Sequence, residues 1–177
     1  ELQQDIKFKY IRFHGILDDE MMVYSENENG EPELCFTYID LAIDFLLSIN
    51  LKPFLELSFM PKELAINPTR TMFFINSVIS LPKNMEKCTY TIQQLIKHFI
   101  SRYGKKEVES WPFFLWNEPD LTKMFGFENR TDFFKFYKET YKTIKRISSN
   151  ISFGSSPVFA DTLEGSNDWM DTFIDFC

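Results

Sequence analysis

An apolar stretch of strand length ends abruptly in an amide, a carboxylate and a proline. Residues 111–116 form the stretch, and Asn117, Glu118 and Pro119 follow it directly. Because proline has no N–H to donate, we expect strand pairing to end here and the carboxylate to lie at the rim of a sheet. Carboxylates at the C-terminal ends of parallel strands often serve catalysis, so this pattern indicates an active site. A turn in which Asn117 and Asp120 satisfy backbone groups is the plainer alternative.

A β-rich segment earlier in the chain carries basic groups. Residues 9–16 alternate so that Tyr10, Arg12 and His14 lie on one face of the predicted strand. Two basic side chains therefore point in the same direction as a tyrosine. His14 also has a purely structural interpretation, as a histidine satisfied beneath a loop.

Two further strands are predicted, at residues 51–61 and 151–156. The first is apolar, with Glu56 in its middle and a proline at its end. Polar or aromatic groups thus occupy the end of each predicted strand: Arg12 and His14, Ser58 and Phe59, Asn117 and Glu118, and Ser155 and Ser156.

Helical periodicity separates these strands. Apolar residues at spacings of three and four predict a helix capped by Thr37 and ended by Asn50, one from Thr91 to Gly104, one opened by Thr131 and Asp132 and running to Ile147, and one beginning near Asp168. Residues 62–88 form a long irregular connection, and loops of that length are usually functional. Alternating strands and helices predict a parallel sheet with right-handed crossovers.

Two α/β architectures fit this alternation, an open doubly wound sheet and part of a (β/α)8 TIM barrel. No glycine-rich turn of the dinucleotide-binding kind follows any strand. In a barrel, polar groups at several strand ends converge on one site, which favours the barrel. We expect residues 1–177 to be a single segment of about four βα units, truncated at both ends of the barrel. Its two open sheet edges predict association with another copy or with the remainder of the barrel.

Composition excludes several classes of function. The net charge of −7 argues against binding of a phosphate backbone by this segment. The three cysteines, Cys35, Cys88 and Cys177, show no metal-ligand spacing, and reduced thiols in a cytoplasmic protein are the simplest interpretation. No apolar run is long enough to span a bilayer, and we expect neither a metal nor another cofactor. Most of the 20 phenylalanines are expected to pack in the core.

Four ordered motifs resemble glycoside hydrolase family 39, the β-xylosidase and α-L-iduronidase family. They are Arg12-Phe13-His14-Gly15, the segment 53–61, the segment 98–104 and Trp116-Asn117-Glu118-Pro119. The resemblance implies that the four strands are the second to fifth of a (β/α)8 barrel in a retaining exo-β-glycosidase acting on a β-xyloside.

The same resemblance implies roles for individual residues. Glu118 would be the general acid/base, Asn117 would hydrogen-bond the sugar 2-hydroxyl, and His14 and Phe59 would line the subsite of the sugar being cleaved. An aromatic, partly dry surrounding would keep Glu118 protonated by raising its pKa.

The second carboxylate is expected outside this chain. Retaining glycosidases place two carboxyls roughly 5 Å apart, and in the family the attacking one ends the seventh strand. Glu56, Asp161 and Glu164 are the available substitutes, and none is favoured: Glu56 is expected to support the site by pairing with Arg12, and the other two lie on a loop. Three departures from the family pattern bear on the substrate: Ile75 and Cys88 stand where aromatic residues are expected, and Ser156 where glycine is usual.

A second class of function is a binding module. Family-39-like barrels also occur in AraC-type transcriptional regulators, where the barrel would act as a sugar sensor or an oligomerisation platform. A third interpretation is a degenerate barrel kept for its interfaces. A glutamate ending a seventh strand would favour catalysis, and a basic helix-turn-helix region would favour regulation.

Overall fold

The computed structural model describes residues 2–72, 76–122, 124–155 and 169–177. Its helices and strands are, in chain order, α1 (Leu2–Ile6), β1 (Tyr10–Phe13), β2 (Tyr24–Glu26), β3 (Pro32–Leu34), α2 (Thr37–Ser48), β4 (Lys52–Leu57), α3 (Met85–Tyr103), α4 (Lys105–Val108), β5 (Phe113–Leu115), α5 (Arg130–Ile147), β6 (Phe153–Ser155) and α6 (Trp169–Phe176). Short 3-10 turns lie at Asp19–Met21 and Lys62–Leu64.

The main sheet has four parallel strands in the order β1-β4-β5-β6. Each strand therefore pairs with the next strand of the predicted βα series. In register, Phe13 lies opposite Leu55, Leu55 opposite Phe113, and Phe113 opposite Phe153. The order advances in one direction without reversing, as in a segment of a (β/α)8 barrel, so the α/β, parallel-strand prediction is confirmed.

Apolar side chains fill the space between the sheet and its helices. The largest fully buried ones include Trp111, Phe99, Phe113, Phe133 and Phe136, which confirms that many phenylalanines serve core packing. Trp111 packs edge-on against Phe99, with 5.7 Å between ring centroids. These contacts fix the strands, and therefore the side chains at the C-terminal ends of the strands.

The hairpin formed by β2 and β3 was not predicted. Asn27 organises its turn, because its Oδ1 accepts hydrogen bonds from the amides of Asn29 (2.9 Å) and Glu31 (3.0 Å). Gly30 adopts a φ of 75°, in the region that glycine enters at little cost. The flanking strands have only three residues each, too few for an alternating pattern to be recognised.

Three helix starts differ from the predictions. Helix α3 begins at Met85, capped by Asn84, whose side chain accepts a hydrogen bond from the Lys87 amide. Thr91 lies inside that helix and donates its hydroxyl to the Lys87 carbonyl. Thr37 is the first residue of α2, which begins after Phe36. Helix α5 begins at Arg130, one residue before Thr131, and is capped by Asn129.

Candidate active site

Side chains from the C-terminal ends of three neighbouring strands form the candidate site. Arg12 lies in β1, Glu56 lies in β4, and Asn117 follows β5 by two residues. The parallel register brings these strand ends to the same edge of the sheet.

A chain of hydrogen bonds joins Glu56, Arg12 and Asn117. The Nε of Arg12 donates to Oε2 of Glu56 at 3.0 Å, and its Nη2 donates both to the same carboxylate and to Oδ1 of Asn117. The Arg12–Glu56 ion pair is therefore present, as the sequence predicted. Because Oδ1 of Asn117 faces the guanidinium, its amide nitrogen is left to donate elsewhere.

Glu56 is fully buried and heavily partnered. The Ser58 hydroxyl donates to Oε1, and Nε2 of His14 lies 3.4 Å from the same oxygen. Burial raises the pKa of Glu56 to about 7, while hydrogen bonds from Ser58 and Arg12 oppose the rise. Since both carboxylate oxygens are engaged, Glu56 is placed to hold Arg12 and His14, as its predicted supporting role requires.

An aromatic cluster surrounds His14. Its ring lies edge-on to Phe59 at 4.8 Å and to Phe125 at 6.2 Å between centroids, and Phe59 stacks on Phe125 at 5.5 Å. Phe59 is fully buried, whereas the His14 side chain is 37% exposed. Burial, and then the charge of Arg12, lower the pKa of His14. Phe59 therefore supports the imidazole from beneath, and the histidine is the member of the pair that reaches solvent.

Glu118 lies at the rim, three residues beyond β5. Trp116 and Glu118 both adopt left-handed backbone conformations, with φ values of 66° and 43°, so the chain turns sharply on each side of Asn117. Burial raises the pKa of Glu118, and the negative charge of Asp120 raises it further. Arg12 and a hydrogen bond from Asn117 lower the same pKa and so oppose this rise. This environment favours a carboxyl that holds its proton, as a general acid must.

The loop after Glu118 is fixed by contacts that sequence reasoning missed. Trp116 Nε1 donates to the Phe125 carbonyl at 2.7 Å, and Arg70 Nη2 donates to the carbonyls of Thr122 and Gly126, each at 2.8 Å. A Cβ at Gly126 would lie 2.6 Å from the Leu121 backbone. Only the apolar character of residues 124–127 could have indicated that this loop packs inward.

A pocket of about 260 Å³ opens beside the candidate site. His14 lies on its wall together with Asp18, Asp19, Glu20, Asn76 and Ser77. The strand-end motif did not indicate this pocket, because Asn76 and Ser77 come from the long connection after β4.

Several predicted residues lie elsewhere. Ile75, Ser156, Asp161 and Glu164 lie outside the described residues. Cys88 is buried in α3, where burial raises its pKa to about 12, so its side chain packs in the core. Ser155 ends β6, and its buried hydroxyl has no hydrogen-bond partner within the described residues.

The described part of the chain shows neither a metal-binding cluster nor a membrane-spanning helix. It contains no group of three or more His, Cys, Asp or Glu side chains that could hold a metal ion. None of its helices combines the length and the apolar character that crossing a membrane requires.

Parallel strands that carry an acidic residue and an amide at their C-terminal ends, with an aromatic wall beside them, are typical of (β/α)8 glycosidases. The family model of glycosyl hydrolases family 39 matches residues 1–177, and the chain belongs to that family.

Relatives and solved structures agree with this assignment. The chain is 41% identical over 175 residues to a β-xylosidase of Caldicellulosiruptor saccharolyticus and 37% identical over 179 residues to one of Geobacillus stearothermophilus, covering 99% of this chain and 34% of the relative in each case. A crystal structure of the GH39 enzyme from Xanthomonas axonopodis pv. citri matches with a TM-score of 0.88 and 29% identity, over 98% of this chain and 33% of that one. The chain thus spans about a third of the length of the relatives it matches.

Proposed function

We propose that this chain supplies the acid/base side of a retaining β-glycosidase that hydrolyses β-xylosides. One observation carries the proposal: Glu118, whose pKa is raised, lies at the end of a parallel strand beside Asn117, which the Arg12–Glu56 pair holds. The relatives named β-xylosidase supply the substrate class.

In the first step, protonated Glu118 donates its proton to the glycosidic oxygen as the bond to the anomeric carbon breaks. A carboxylate from outside this chain attacks that carbon and forms a glycosyl-enzyme. In the second step, Glu118, now ionised, removes a proton from water as the water displaces the enzyme carboxylate.

Asn117 and His14 position the sugar in this proposal. Because Oδ1 of Asn117 accepts from Arg12, its amide N–H groups face Glu118 and the space where the sugar 2-hydroxyl would lie. His14 lines the subsite of the sugar being cleaved, and the buried Phe59 supports its ring through the edge-on contact.

The test uses the complete protein that carries this segment, with the variant Glu118→Gln. Acid assistance matters most for a poor leaving group, so hydrolysis of an alkyl β-xyloside should fall about 10²- to 10⁴-fold. The first step on a dinitrophenyl β-xyloside should change little, because that leaving group needs no proton. Azide is a nucleophile that needs no general base. It should restore turnover of the dinitrophenyl β-xyloside by the Glu118→Gln variant, with a xylosyl azide as the product.

Glu128→Gln is the matched control, since Glu128 is exposed on the same loop. If Glu118→Gln slows the first step equally for the alkyl and the dinitrophenyl β-xyloside, or if azide does not restore turnover, Glu118 is not the acid/base. Sugar binding without any turnover by the wild-type protein would instead favour the sensor function. The 177-residue chain alone should be inactive on aryl β-xylosides, and turnover abolished by Glu118→Gln in that chain would show that another carboxylate within it attacks.

A further inference from the structure

Asp18 lies where three segments of the chain meet. It follows β1 in a tight turn, with its amide donating to the Gly15 carbonyl at 3.1 Å and its carbonyl accepting from Met21 at 2.9 Å. Its Oδ2 accepts a hydrogen bond from the Ser77 hydroxyl at 2.7 Å. Ser77 belongs to the connection between β4 and α3, so this bond joins two segments that are 59 residues apart in the chain.

The turn that contains Asp18 is also bound to the end of β4. The Leu17 amide donates to the Ser58 carbonyl at 2.6 Å, and the Gly15 amide donates to the Ser58 hydroxyl at 3.3 Å. A Cβ at Gly15 would lie only 2.5 Å from Oδ2 of Asp18. The carboxyl therefore presses directly against the backbone next to His14, and Ser58, the residue before Phe59, lies in the same network.

The carboxyl occupies this place at a cost in stability. Its other oxygen, Oδ1, is buried without a well-aligned hydrogen-bond partner in the described residues. Burial raises the pKa of Asp18 to about 6, although the Ser77 hydroxyl and the Phe59 amide stabilise its charged form. An isolated structural turn would be served better by an uncharged side chain, and groups kept in such surroundings concentrate at functional sites.

We propose that Asp18 and Ser77 act together as positioning residues for His14, which faces the sugar, and for Phe59, which supports its ring. Their hydrogen bond fixes the turn after β1 against the connection after β4, and it forms part of the pocket wall beside His14. The inference rests on the proposed function, because it assigns these two residues a role in binding the same sugar.

The test measures kcat and KM for an aryl β-xyloside in the complete protein, with Asp18→Asn, Ser77→Ala and the double variant. Loss of a hydrogen bond to a charged group should raise KM about tenfold. The value of kcat should change less than about twofold, because His14 holds the sugar in ground and transition states alike. The double variant should be no worse than the poorer single variant, since both changes break one bond.

Glu28→Gln is the matched control, an exposed carboxylate in the turn between β2 and β3 that does not line this pocket, and its KM should stay within about twofold of wild type. A merely structural role would instead lower the amount of active enzyme, and so kcat, at unchanged KM. If Asp18→Asn does not fold, Ser77→Ala breaks the same bond and carries the test.

If the wild-type protein turns over and the variants keep its KM, the positioning role is refuted while the proposed function stands. Multiplicative effects of the two changes on KM in the double variant would refute the positioning role in the same way. Absence of turnover in the wild-type protein would overturn the proposed function and this inference with it.

Discussion

Replacing Arg12 by methionine should destabilise the protein more at alkaline than at acidic pH. Arg12 donates two hydrogen bonds to the fully buried carboxylate of Glu56. A hydrogen bond to a charged group contributes about 1.5–3 kcal/mol. Because the Arg12 side chain is 41% exposed, solvent screening reduces the total, and we expect a loss of about 2 kcal/mol while Glu56 is ionised.

The pH dependence follows from the pKa of Glu56. Burial raises that pKa from 4.5 to about 7 even with Arg12 present, and loss of the guanidinium raises it further. A carboxyl whose pKa is higher in the folded state stabilises the fold when protonated, and that stabilisation is lost as pH rises through the folded-state pKa. At about pH 5.5 Glu56 is protonated with or without Arg12, so the substitution should cost about 1 kcal/mol or less there, and most of the loss should be present near pH 8.5.

Urea unfolding of wild type and Arg12→Met at these two pH values is the assay. Lys52→Met is the control, because it breaks the part-exposed pair between Lys52 of β4 and Glu107 of α4 and should cost less than about 1 kcal/mol. Equal destabilisation of Arg12→Met at both pH values would refute the idea that Arg12 stabilises an ionised Glu56. Turnover should also fall about tenfold, because Asn117 loses the partner that orients its amide.

Three further outcomes are expected. Asp120→Asn removes a negative charge that raises the pKa of Glu118, so Glu118 should lose its proton at lower pH. The alkaline limb of the pH profile of kcat/KM should therefore move to lower pH, and an unmoved limb would contradict this. Gly126→Ala places a Cβ against the Leu121 backbone and should lower the free energy of unfolding by about 1–3 kcal/mol and also lower turnover. Gly154→Ala, with open space around its Cβ in the described residues, should change stability little. Since β1 and β6 each pair with one strand in the described sheet, the 177-residue chain alone should associate at micromolar concentration in light scattering, and a cooperative monomer would argue against open edges.

The strand ends could be predicted because a short local sequence pattern marks each of them. The apolar run before Asn117, Glu118 and Pro119 indicated where strand pairing stops, although β5 ends at Leu115, before the turn that begins at Trp116. The parallel order follows from helices placed between strands. The Arg12–Glu56 pair was also predictable, since a carboxylate in the middle of a buried strand needs a cation.

The missed features depend on contacts between distant residues. The start of α3 is an exception, because Asn84 caps the helix and Met85 and Cys88 continue the three- and four-residue apolar spacing, so this local signal was present and was missed. The Asp18–Ser77 bond spans 59 residues, and Phe125 reaches His14 only because Arg70 and Trp116 hold its loop inward. Sequence patterns report local periodicity, and none of them specifies such contacts.

The proposed reaction needs one protonated carboxyl group and one ionised carboxylate, and this chain supplies the environment of the protonated one. Burial beside Asp120 favours the protonated form of Glu118, while Asn117 and Arg12 limit how far its pKa rises, so the same group can later act as a base. Arg12 is held by Glu56, and Glu56 by Ser58, so contacts within this chain hold Asn117, the neighbour of the proposed acid. The attacking carboxylate can then come from a distant part of the barrel, because the acid/base side does not need it for its own geometry.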